Sequence, residues 1–129
     1  MAKNYTLTCS LSMAANSGTG YSQSQSGEYT LNITGVDQIA TGRIDVAHDG
    51  DATVMAAPGY GRMVYVKNLD DTNFVKIYDG ASSAADLIGI LEPGQFLMTI
   101  IRGTATTVAK ADTATVTIEY AAIEIDAKA

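Results

Sequence analysis

The sequence predicts an all-β protein, an antiparallel β-sandwich of jelly-roll-like type or else a small barrel, with about eight to ten short strands. Apolar side chains recur at every second position along most of the chain, which is the period of a half-buried strand. No stretch joins helical spacing to capping residues, and the many Thr and Val have branched side chains that favour strands. Clusters of Gly, Pro, Asp and Asn interrupt the pattern at intervals of roughly eight to twelve residues, as in sandwiches. The 129 residues, 47% of them hydrophobic, suffice for one ordinary core, so a single domain over residues 1–129 is expected.

The first strand places Tyr5, Leu7, Cys9 and Leu11 on one face and Thr6, Thr8, Ser10 and Ser12 on the other, so Cys9 is expected to point inward as a small buried hydrophobe. Residues 14–27 are rich in Ser, Gly and Gln and read as a flexible or partner-ordered loop, with Tyr21 its only large side chain. Alternation resumes from Glu28 to Thr34. Between Gly35 and Ala57 two or three brief strands fit, among them Gly42–Val46. The turn Asp49-Gly50-Asp51 follows; it lacks the later ligands of a calcium loop. Pro58-Gly59-Tyr60-Gly61 is a loop.

Arg62–Leu69 and Asn73–Asp79, separated by Asp70-Asp71-Thr72, are expected to pair as a hairpin. Asp86–Leu91 is a short apolar strand, and Glu92-Pro93-Gly94 is a turn with proline presetting one dihedral and glycine supplying a positive one. Gln95–Arg102 is apolar on both faces and is expected to be a central strand covered on each side. Thr104–Lys110 and Ala114–Ile125 complete the set. In the latter, Ile123 and Ile125 break the phase of Val116, Ile118 and Tyr120, which suggests a β-bulge or sheet crossing at Ala121-Ala122.

Composition excludes several functions from the expectation. Lys plus Arg number 8 against 14 Asp plus Glu, a net charge of −6, which repels nucleic acid and anionic membranes. No apolar run approaches the roughly 20 residues of a membrane helix, and the opening Met1–Thr6 alternates instead of building a signal peptide, so a soluble chain made in a cytosol is expected. The one histidine, His48, has no nucleophile elbow or metal-ligand spacing around it. No catalytic residue, no metal and no cofactor is therefore assigned, and no enzyme is expected.

The order of Val64-Tyr65-Val66-Lys67-Asn68, Asn73-Phe74-Val75, Leu91-Glu92-Pro93-Gly94-Gln95-Phe96, Lys110-Ala111-Asp112-Thr113 and Ile118-Glu119-Tyr120 resembles small β-sandwich virion proteins of tailed bacteriophages. The resemblance covers residues 62–125, with Gln95 where the pattern carries an acid. It implies a capsid decoration or cement protein that bridges capsomers in the virion after synthesis in the host cytoplasm. Its implied partners are the major capsid protein and copies of itself, as a trimer around three-fold sites. A neck, tail or baseplate component is the alternative, and a receptor- or glycan-binding module the third, though the absence of Trp leaves little for sugar stacking. For protein contacts the candidates are Tyr21, as the anchor of an intersubunit arm, and Arg43, Arg62 and Arg102, each suited to bidentate pairing with a neighbour's carboxylate. The run Ala121–Ala129, like the loop, is read as ordering on a neighbour.

Overall fold

The computed structural model describes residues 3–13, 23–33, 38–83 and 86–125. It is all-β and antiparallel. Ten strands occur among the described residues, β1 (Lys3–Met13), β2 (Gln23–Ile33), β3 (Ile39–Val46), β4 (Ala52–Met55), β5 (Gly61–Asn68), β6 (Val75–Asp79), β7 (Asp86–Leu91), β8 (Phe96–Arg102), β9 (Thr107–Ala111) and β10 (Val116–Ile125). They fall into two compact units, Met1–Gly35 and Val36–Ala129.

In the first unit β1 and β2 form a two-stranded ribbon whose register pairs Tyr5 with Leu31, Leu7 with Tyr29 and Cys9 with Gly27. Directly opposed residues share a face, so Leu11 stands beside Gln25. Gln23–Gly27, expected in a loop, belong to β2. Cys9 is exposed and not buried, as are Leu11 and Met13, because this sheet stops at two strands.

The second unit is a β-sandwich. One sheet has the order β3-β10-β5-β8 and the other β4-β9-β6-β7. Numbered from β3 as the first of eight, the strands run 1-8-3-6 and 2-7-4-5, which is the connectivity of a jelly roll. The core lies between the sheets: Val46, Val64, Val66, Val116 and Ile118 meet Val54, Val75, Ile77, Ala109 and Leu91. β-Branched side chains dominate because they pack well on pleated surfaces.

Three local expectations are corrected. β5 and β6 are not a hairpin but lie in different sheets, so Asp70-Asp71-Thr72 carries the chain across the sandwich. β10 has no bulge: its register runs unbroken against β3 and β5, with Val116, Ile118, Tyr120, Ala122 and Glu124 in one phase and Ile123 and Ile125 in the other. Ala121–Ile125 thus belong to an interior strand, while residues 126–129 lie outside the described residues. β8, expected at the centre of a sheet, is an edge strand that among the described residues pairs only with β5.

Turn chemistry follows the sequence where glycine is required. Glu92-Pro93-Gly94-Gln95 closes with Gln95 N–H donating to Glu92 O at 3.0 Å, and Gly94 has φ +79°, as a type II turn demands. Gln95 Oε1 accepts from Glu92 N–H at 2.9 Å, so the amide braces this turn. Gly61 is needed for a different reason. A Cβ there would stand 2.9 Å from Ile101 O, so only glycine lets β5 approach β8 so closely.

Candidate functional site

Among the described residues four polar side chains are buried, Arg62, Asn68, Thr107 and Glu124, and each sits at or next to the end of a strand. Arg62, fully buried on β5, donates through Nε to Thr107 Oγ1 at 2.6 Å, through Nη1 to Gly103 O at 3.3 Å, and through Nη2 to Asp79 Oδ1. It thereby ties one sheet to the other. Asn68, also fully buried, donates from Nδ2 to Asn73 O and Leu91 O, both at 2.9 Å, and accepts at Oδ1 from Asp70 N–H at 2.8 Å. Glu124 accepts from Gln38 N–H at 2.9 Å and Gly59 N–H at 2.6 Å. Among the described residues no buried side-chain polar atom lacks a partner, as expected of a well-formed interior.

The sequence-named contact residues separate accordingly. Arg62 is an interior brace and is not exposed to a neighbour. Arg43 is at the surface, its side chain 69% exposed, 3.8 Å from Glu119 across the β3–β10 ladder. Arg102 lies at the exposed end of β8 with its guanidinium 5.0 Å from the Tyr60 ring centre. Tyr21 falls outside the described residues. The structure does not bring these arginines into one patch: Arg43 is on one edge strand, Arg102 on the opposite edge strand of the same sheet.

Loop carboxylates are engaged locally. Asp70 Oδ2 accepts from Thr72 N–H and Asn73 N–H at 2.9 and 2.6 Å, and these bonds, Asn73's first, hold its pKa below the usual carboxylate value. Asp51 is bound by the Ser82 hydroxyl and backbone N–H, which likewise lower its pKa. Burial, with help from the neighbouring Glu119 carboxylate, raises the Tyr65 phenol. His48 is exposed in a bend after β3. A shallow depression of about 320 Å³ lies between Lys67–Asp71 and Pro93-Gly94, with the Asn68 amide and Asp70 Oδ2 at its wall bonded to the chain itself. No group of three or more His, Cys, Asp or Glu among the described residues could hold a metal ion.

The least expected surface is on β8. Phe96, Met98 and Ile100 alternate to the outside at 64%, 38% and 46% exposure, opposite Lys67, Tyr65 and Met63 of β5. The Tyr65 and Phe96 rings stand 6.4 Å apart at 42°, extending the apolar strip on to β5. Sequence reasoning missed this surface because a strand apolar on both faces ordinarily has cover on both. The loss of alternation from Phe96 to Ile101 was the available signal.

Fold and surface together define a class: a jelly-roll domain that presents an apolar edge strand, with its buried polar groups spent on holding the two sheets. No protein-family model matches the chain, and neither a curated protein nor a solved structure does so.

Proposed function

We propose that the chain is a structural protein of a tailed-bacteriophage virion, a decoration or cement protein that binds the major capsid protein and stabilises the head. The observation that carries this reading is the jelly-roll connectivity of residues 39–125, an architecture recurrent in viral capsid domains. Jelly rolls also serve other functions, so the phage-like order of motifs in residues 62–125 supplies the narrower part of the reading. An exposed apolar strip suits a protein that works by covering and being covered. On this reading the chain acts by binding, without catalysis or cofactor.

The test is quantitative mass spectrometry of purified particles, followed by heating of particles stripped of the protein. A copy number matching the head lattice, with earlier DNA release from stripped particles, supports a cement role. Copy numbers equal to a small ring would transfer the protein to the neck, tail or baseplate. Absence from the particle, or unchanged DNA release despite head-type copy number, would overturn the cement reading.

A further inference from the structure

The strand β8 has the composition of a sheet interior and the position of a sheet edge. Edge strands are usually blunted by a charge pointing inward, a proline, a bulge or extreme shortness. β8 has none of these within Phe96–Ile101, and its register with β5 is regular from Gly61–Arg102 to Lys67–Phe96. Among the described residues no strand pairs with its side away from β5, which therefore offers a row of N–H and C=O groups flanked by apolar side chains. In a chain of net charge −6, no carboxylate occurs from Gln95 to Ala111.

We propose that β8 pairs antiparallel with β8 of a second copy of this chain, joining two β3-β10-β5-β8 sheets into one continuous eight-stranded sheet across a two-fold axis at Thr99.

The strand is self-complementary about that residue. Full overlap of Phe96–Arg102 with its symmetry mate places Thr99 opposite Thr99, Met98 opposite Ile100, Leu97 opposite Ile101 and Phe96 opposite Arg102. A two-fold centred on a residue keeps inward side chains opposite inward ones; centring on a peptide bond would oppose the two faces. The only charge in the strand, Arg102, then meets an exposed aromatic ring instead of its own copy. Met98 and Ile100, exposed in the single chain, become a directly opposed cross-strand pair. Antiparallel self-pairing yields a dimer, in place of the trimer that the phage resemblance implies, and it stands whether or not the protein belongs to a virion.

The experiment uses the purified full-length chain in dilute buffer, with dimerisation followed by sedimentation equilibrium. The unaltered protein is expected to dimerise. Met98→Glu and Ile100→Lys are tolerated by the single chain because both positions are exposed, but each replaces two apolar cross-strand contacts at the seam by unpaired charges and should weaken the dimer about tenfold. The double variant sets Glu against Lys at both symmetry-related positions and should recover most of that loss. As an independent arm, Thr99→Cys in a Cys9→Ser background should oxidise to a disulfide-linked dimer, since directly opposed residues in such a pair have Cα atoms about 4.5–5.5 Å apart, within disulfide reach. Thr104→Cys, in the exposed bend beyond β8, should not cross-link. A chain that stays monomeric, single variants that dimerise as the unaltered chain does, a double variant as weak as the singles, or a Thr99→Cys protein that fails to cross-link would each overturn the proposal.

Discussion

Arg62 and Asp79 form an ion pair between the two sheets, the guanidinium fully buried on β5 and the carboxylate 29% exposed at the end of β6. The arrangement is asymmetric. Asp79 can exchange its partner for water, whereas Arg62 cannot, and Thr107 Oγ1 and Gly103 O accept from its other two guanidinium nitrogens. A buried cation without this set of acceptors would be costly.

Removing Arg62 should therefore cost far more than removing the other paired arginine of the sheet. Arg62→Met is expected to lower unfolding stability by about 3 kcal/mol, the low end of the range for breaking a buried pair because Asp79 can rehydrate. Arg43→Ala, at an exposed pair, should change it by less than about 0.5 kcal/mol. Urea denaturation of both variants reads the contrast, and equal effects would contradict the interior placement of Arg62.

Asn68 binds three backbone groups, two from the link between β5 and β6 and one from the end of β7, so no apolar replacement can satisfy them. Asn68→Ala should destabilise by about 2–3 kcal/mol, the cost of leaving buried amide groups unpaired. Asn68→Asp should be no milder, because a carboxylate cannot donate to the Asn73 and Leu91 carbonyls. Denaturation midpoints give the first comparison, and a stability of Asn68→Ala near that of the parent would refute it.

Two glycines provide a matched test of close approach. At Gly61 a methyl group meets the Ile101 carbonyl at 2.9 Å, while at Gly50 nothing stands within 4 Å. Gly61→Ala is expected to cost about 1–3 kcal/mol through backbone displacement, and Gly50→Ala to be close to neutral. Thermal melts of the two proteins should separate clearly.

The titrating groups set the pH limits of stability. Asp51 and Asp70 have folded-state pKa values lowered by the hydrogen bonds they accept, so their contribution is present above the ordinary carboxylate value of about 4 and is lost as pH falls through their lowered values. Tyr65 is raised, chiefly by burial, so its contribution holds below the ordinary phenol value of about 10 and is lost as pH rises past it. Ser82→Ala should return the Asp51 carboxyl toward its ordinary value in an NMR titration. Glu119→Gln should lower the Tyr65 phenol only in part, because burial, the larger cause, remains.

Strand identity was legible in the sequence because alternation is local. β7 spans the expected Asp86–Leu91, and the Pro93-Gly94 turn has the expected geometry. Sheet membership was not legible. The short polar link after Asn68 looks the same whether the chain reverses within a sheet or crosses to the other one, and what decides is a set of hydrogen bonds to Leu91 and Asn73. The site was read less well than the fold. Arg62 shares its phase with Val64, Val66 and Asn68, but a charged residue beside Gly61 carries no mark of the acceptors, Thr107, Gly103 and Asp79, that let it be buried.

The position of β10 governs how this protein is made. It is the last in chain order of the ten strands among the described residues, yet it lies between β3 and β5 and supplies Val116, Ile118 and Ala122 to the core. A nascent chain on the ribosome can pair β5 with β8 and β6 with β7 and β9, but the first sheet has a gap at its centre until Ile125 has emerged. Vectorial folding of this sandwich is accordingly closed off, and its high contact order makes the final collapse slow and dependent on protection of the open strands meanwhile.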